Sequence, residues 1–329
     1  MNRCGACGQD TLGRNWTFEN RPGEVFCDSC ANGPRCYDCG GPSGRAWVFD
    51  DGRKQCDRCR SSSVLDKSSV LALANVILDF MHSSLRMSLS PLPEIHLASL
   101  DQIRAAFETP RPDAAGICII KSGSHPTILV PYGMARLPLA TLLTHELAHV
   151  WVFQNARTKL AISSIAHEGF CEWVAWQTAI GCFRSQTEAN KIAKKDGRYG
   201  TWFRAMASLH TSIPAIDIPI LVSHEDSRIP RAVLKDSGKV TSVHGLGVGI
   251  FKIGRDKGCC NILIENPYAS RTHSSVQVEA RGTAYLRDLG SRNGTKVNGR
   301  DARSSALRPG DTIQLGSTSL IFDSVARPV

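Results

Sequence analysis

Apolar residues recur at three- and four-residue spacing through 61–89, at Val64, Leu65, Leu71, Leu73, Ala74, Ile77, Leu78, Met81 and Leu85. That period predicts a helix, ended by Pro91 and Pro93. Two further helices are predicted over 137–155 and 165–182, where tryptophans and large aliphatics cluster, and another over 199–209. Short apolar runs at 117–120 and 127–130, bounded by glycine and proline, predict strands. The first 60 residues show neither period and are poor in aliphatics. Residues 214–242 hold three prolines and little periodicity, which reads as a linker. After Gly245 the pattern changes to short alternating segments at 249–253, 262–264, 275–279, 284–289, 312–315 and 319–323. Gly, Asn and Pro separate them, as in an all-β sandwich. The chain thus reads as multidomain α+β: a cysteine-rich module at 1–60, a mainly helical domain at 61–213, a linker at 214–242 and a β-sandwich at 243–329.

Composition narrows the class. Hydrophobic residues make up 42% and charged residues 21% of 329 positions, which excludes global disorder. The start of the chain has no apolar signal core, and the most apolar stretch, 64–81, is interrupted by Asp66, Lys67, Asn75 and Asp79. Neither a secretory signal nor a membrane span is expected, and the expected location is cytoplasmic. The net charge of +9 is uneven, with excesses of +1, +3 and +5 over 1–60, 61–240 and 241–329. An anionic partner belongs first with the C-terminal segment.

Eight of the thirteen cysteines fall in four C-x-x-C pairs: Cys4/Cys7, Cys27/Cys30, Cys36/Cys39 and Cys56/Cys59. Two such knuckles complete a tetrahedral thiolate site, and in a segment without apolar burial the metal supplies most of the folding free energy. Two structural zinc ions are therefore expected. Sequential pairing gives one site from Cys4, Cys7, Cys27 and Cys30 and another from Cys36, Cys39, Cys56 and Cys59. A cross-braced arrangement exchanges the middle pairs; the similar loops and short spacer favour the sequential form. That form resembles a LIM domain, with tandem zinc ribbons as the alternative. Eight thiolates on two zinc ions leave this segment net negative, so nucleic acid is not expected as its partner.

The central segment reads His145-Glu146-Leu147-Ala148-His149. On a helix, His145 and His149 project from one face and can share a metal, with Glu146 beside it. A third ligand is sought in His167-Glu168-Gly169-Phe170-Cys171-Glu172. Glu168 is the favoured candidate, giving two His and one Glu with a fourth position open for water. His167 competes with it. Glu172, one turn on, can accept a hydrogen bond from a ligand histidine. Tyr199, His210 and His167 are the candidates for an additional oxyanion donor.

This layout resembles the gluzincin metallopeptidases, in which a glutamate on a following helix is the third ligand. More narrowly, H-E-L-A-H-V-W followed by E-G-F-C-E resembles the DA-one-type peptidases, in which a LIM domain precedes the peptidase, and Tyr199-Gly200-Thr201-Trp202-Phe203-Arg204 looks like a further shared element. The resemblance covers about residues 1–210. It implies one catalytic zinc on His145, His149 and Glu168, with Glu146 as general base.

The C-terminal segment carries Ile253-Gly254-Arg255, Ser270-Arg271-Thr272-His273, Asp288-Leu289-Gly290-Ser291-Arg292-Asn293-Gly294-Thr295, Val297-Asn298-Gly299 and Leu307-Arg308-Pro309-Gly310-Asp311. In this order and spacing the blocks resemble a forkhead-associated (FHA) domain, which binds phosphothreonine through loops at one end of a sandwich. The residue chemistry suits that task. Arg255 offers a planar fork to phosphate and Arg271 a second cation. Ser270 can donate its hydroxyl and Asn293 can hold the ligand backbone, and the resemblance implies that His273 braces the loop. The expected function is a zinc endopeptidase acting on proteins, recruited or regulated by a phosphothreonine protein or by its own phosphorylated segment. The alternative is a non-catalytic phospho-dependent scaffold with a vestigial metal site.

Overall fold

The structure is a computed structural model that describes all residues except 1, 12, 110, 122–123, 156–163, 211–212, 225, 238–241, 281 and 325–329, and the side chains of 164–166 and 198. The chain forms two compact units. One comprises Met1–Met81, Ser88–Val150 and Ala175–Asn190, the other His82–Met87, Trp151–Val174 and Lys191–Val329.

The first unit opens with a duplicated motif. Each half begins with a tight turn in which a cysteine carbonyl accepts from a glycine N–H four residues on, Gly8 to Cys4 and Gly40 to Cys36, both at 2.8 Å. Gly8 and Gly40 take φ +73° and +69°, a region that favours glycine. Each half ends in one helical turn: α1 (Asp28–Ala31) follows Cys27, and α2 (Asp57–Arg60) follows Cys56. Strands β1 (Trp47–Val48) and β2 (Lys54–Gln55) pair antiparallel before α2.

Helix α3 (Lys67–Leu85) follows. Its length and composition would allow it to cross a bilayer, but Val70, Leu73, Ala74, Ile77 and Met81 are buried on one helical stripe, as in a core helix. Next come β3 (Glu94–Ala98), α4 (Leu100–Ala105), β4 (Ile117–Ile119) and β5 (Thr127–Pro131). They make a three-stranded sheet in the order β3-β5-β4, parallel between β3 and β5 and antiparallel between β4 and β5. A capping box of Ser99 and Gln102 starts α4. A turn at Tyr132–Gly133 leads from β5 into the helix α5 (Arg136–Asn155).

In chain order follow α6 (Ser164–Gln177), a π-helical turn at Thr178–Cys182, α7 (Gln186–Ala193), α8 (Gly197–Leu209), a 3-10 turn at Ala215–Asp217 and α9 (Ile218–Ser223). The remainder of the second unit is a sandwich of eleven strands: β6 (Ala232–Asp236), β7 (Val243–Leu246), β8 (Gly249–Gly254), β9 (Ile262–Leu263), β10 (Ser274–Val278), β11 (Ala284–Asp288), β12 (Thr295–Val297), β13 (Arg300–Asp301), β14 (Ser304–Leu307), β15 (Thr312–Leu315) and β16 (Thr318–Ser324). One sheet runs β14-β11-β10-β8-β9 and the other β13-β12-β15-β16-β6-β7. Between them lies a closed apolar core that includes Ile253, Val276, Leu286, Ile313, Leu315 and Phe322.

Of residues 214–242, read above as a linker, 225 and 238–241 lie outside the described residues. The segment holds α9 and β6, and β6 pairs antiparallel with β16. Ala232 and Leu234 join the sandwich core, while Val233 packs on the opposite side with Trp202 and Ala205. A strand covered on both faces has no polar positions to alternate with, so the period-2 signal disappears.

Candidate functional site

The N-terminal cysteines gather as two sets, Cys4–Cys7–Cys27–Cys30 and Cys36–Cys39–Cys56–Cys59, with ligand atoms within 4.8 Å of one another in each. This is the sequential grouping. The halves solve the same problem identically. The N–H of Cys27 donates to Cys4 Sγ and that of Cys56 to Cys36 Sγ, both at 3.4 Å. Burial opposes ionisation of Cys4, but N–H groups of Cys27, Cys7 and Ala6 outweigh it and lower its thiol to about 6. Arg21, almost fully buried, points a guanidinium nitrogen at Cys56 Sγ (3.6 Å) while its other side holds Glu24. Amide and guanidinium donors aimed at sulfur suit thiolates in a closed metal site.

The second set is built into the start of α5. Gln55 bridges Asp38 Oδ2 (2.6 Å) and the carbonyl of Gly133 (2.9 Å), and Arg53 donates to the carbonyl of Tyr132 (2.7 Å) while paired with buried Asp51 (2.9 Å). Ala135 packs directly against Cys36, Cys56 and Cys59. No sequence period signals this docking, because it is made by isolated polar side chains reaching backbone carbonyls.

Ten residues along α5, His145 and His149 stand one turn apart with their Nε2 atoms 3.0 Å from each other. Glu146 is buried at 6% exposure. Its carboxylate lies against Gly116 at the entry to β4: a Cβ there would stand 2.9 Å from Glu146 Oε1. Burial, and then the Glu146 charge, push the nearby Cys118 thiol up to about 12, so it stays neutral. Gly116 and Cys118 were not legible as site residues, since nothing local marks them.

On α6, Phe170, Cys171, Trp173 and Val174 are fully buried, and His167 and Glu168 are half-buried. Glu172 is buried and paired with Lys195 Nζ at 2.5 Å. Tyr199 lies edge-on to Trp202, and His210 edge-on to Trp173. His145 and His149 are thus brought together on α5, and His167, Glu168 and Cys171 are carried by α6.

At one end of the sandwich three loops are sewn together. His273, fully buried, accepts from the Ser270 N–H through Nδ1 (3.1 Å), and its Nε2 meets the Gly294 carbonyl (3.0 Å). With Nδ1 accepting, Nε2 is the nitrogen that donates to this carbonyl. Gly254 has no room for a side chain, because the Arg271 carbonyl fills that position. The Arg255 N–H reaches the Ser270 carbonyl at 3.2 Å. Ser270 Oγ accepts from the Arg292 N–H (3.0 Å), which leaves its own hydrogen to donate. Asn293 anchors to the Tyr268 carbonyl at 2.8 Å. Arg255, Arg271, Arg292 and Asn293 are exposed around this seam. Arg292 was not singled out from sequence, although its neighbour Asn293 was.

Asp288 holds the third loop. It accepts from the N–H groups of Gly290 and Ser291 (2.9 Å each) and from the hydroxyls of Ser291 (2.6 Å) and Thr295 (2.5 Å). Burial opposes its ionisation, but these donors together hold the carboxyl below its ordinary range. A depressed folded pKa stabilises fully above the unfolded value of about 3.9 and is lost as pH falls through the folded one. Asp288→Ala should therefore cost the sandwich about 1–3 kcal/mol at pH 7 in a denaturant melt. The deficit should shrink toward pH 3; a pH-independent deficit would contradict the assignment.

Residues 251–316 match the family model described as FHA domain. The chain is similar to an FHA domain solved in a study of phosphothreonine-dependent FHA domain interactions, with 28% identity over 30% of this chain and 98% of that one (TM-score 0.27). It is also similar to the FHA domain of the CT664 protein from Chlamydia trachomatis, with 26% identity over 29% and 99% (TM-score 0.28). An FHA domain of an Arabidopsis thaliana hypothetical protein gives 27% identity over 30% and 90% (TM-score 0.27). No curated protein matches the chain.

Proposed function

We propose that the chain is a zinc-dependent endopeptidase whose FHA domain takes phosphothreonine-containing protein, either a partner or its own phosphorylated segment. The observation that carries the enzymatic part is the 3.0 Å approach of the His145 and His149 Nε2 atoms beside buried Glu146. With Glu168 these side chains offer two imidazoles and one carboxylate, a donor set suited to a hydrolytic zinc with an open position. A zinc ion held there would supply Lewis acidity to a water and to the substrate carbonyl. Glu146 would be the base that accepts a proton and returns it to the departing amine. The eight N-terminal cysteines hold two structural zinc ions. At the sandwich, Arg255 and Arg271 neutralise the phosphate, Ser270 donates to it, Asn293 orients the peptide backbone and Arg292 adds a third cation. Docking of a phosphorylated protein raises its effective concentration at the peptidase without new catalytic contacts.

A second reading, a non-catalytic phospho-dependent scaffold with a vestigial metal site, rests on the match of residues 251–316 to the FHA family model alone. Chelation separates the two. Treating the full chain with 1,10-phenanthroline should stop cleavage of an unstructured protein such as casein, and added zinc should restore it. Cleavage indifferent to the chelator would overturn the zinc reading, and no cleavage by the zinc-replete chain favours the scaffold.

A further inference from the structure

The sandwich is joined to the helices by packing. Strand β7 is the edge of its sheet, and α8 lies against the β6–β7 pair: Trp202 and Ala205 pack with Val233 and Val243. Contact is backbone to backbone at Gly245, where a Cβ would stand 2.8 Å from the Ala205 carbonyl oxygen and 3.0 Å from Pro230. The helix thus covers the outer face of the β6–β7 pair, opposite the sandwich core. α8 also grips α6. At Gly169 a Cβ would stand 2.5 Å from the Trp202 carbonyl oxygen and 2.9 Å from Met206 Cγ. The turn before α8 is held by Arg204, whose Nη1 reaches the carbonyls of Ala193 (3.0 Å) and Lys195 (3.2 Å), and Lys195 pairs with Glu172 on α6. Trp202 belongs to both contacts, through its side chain toward the sandwich and its carbonyl toward Gly169.

We propose that the FHA sandwich sets the position of α6 through α8, with Gly245 and Gly169 as positioning residues for Glu168 and Glu172. This rests on the zinc reading for its functional meaning, since Glu168 is the proposed third ligand. Two glycine contacts make the chain of packing rigid, because backbones in direct contact have no side-chain rotamers with which to absorb a shift.

The test is Gly245→Val in the full chain, followed by amide hydrogen exchange and phosphothreonine-peptide binding. Exchange across 167–177 should rise by about tenfold or more, while peptide affinity stays within about twofold, because the loops lie away from the substituted strand. Gly245→Ala should give a smaller rise in the same segment, and it serves if the valine variant does not fold. Unchanged exchange across 167–177 in the folded variant overturns the proposal, whatever happens in β7 and α8. Zinc content and kinetics form a separate arm: kcat should fall with KM little changed, and the proposed third zinc should weaken. A wild-type chain holding only two zinc ions would remove the metal reading and leave the exchange result to decide the coupling.

Discussion

Glu146→Gln should retain three zinc ions per chain and lose cleavage by about 10²–10⁴-fold, the range a positioned general base contributes. Glutamine matches glutamate in size, so the contact with Gly116 at the entry to β4 survives. An amide oxygen cannot store a proton at neutral pH, and Glu146 is too buried for bulk water to replace it readily. The loss should therefore fall on kcat rather than KM. Equal activity in this variant would remove Glu146 from the chemistry. Loss of metal along with activity would assign it a ligand role instead.

Arg255→Ala should weaken a phosphothreonine peptide by about 10–100-fold, from hydrogen bonds to a charged group worth about 1.5–3 kcal/mol. The loop itself should stay in place, because it is held by the Arg255 backbone N–H on Ser270 and by buried His273, not by the guanidinium. Arg255→Lys should recover only part of the affinity: an ammonium restores the charge but not the two-pronged geometry. Titration calorimetry against phosphorylated and unphosphorylated forms of one peptide reads both effects. Binding indifferent to phosphate, or to Arg255, would defeat the reader assignment.

How much was legible follows from physical character. The metal-type motifs are local, so spacing alone marks the four C-x-x-C pairs and places His145 and His149 on one helical face, while the grouping of the pairs into two sets needed the structure. The sandwich was legible because its loop residues come in fixed blocks, and those blocks meet at one end through His273 and Ser270. Strand β6 was hidden because Ala232 and Leu234 face the core while Val233 faces α8, leaving no polar alternation. Strand β3 was also missed: it pairs parallel with β5 from a distance in sequence, and its partner cannot be read from a turn. Helix α4 carried a readable signal, Ser99 with Gln102, that periodicity over six residues is too short to reinforce. The docking of Arg53 and Gln55 on Tyr132 and Gly133 had no sequence signature, although it couples the second cysteine site to the helix bearing His145.

The central claim is that His145, His149 and Glu168 hold a metal of their own, separate from the cysteine sites. Zinc content by mass spectrometry of the native chain, wild type against His149→Ala, tests it most directly. The account predicts three ions falling to two, with unchanged circular dichroism. Two ions in both proteins would contradict it.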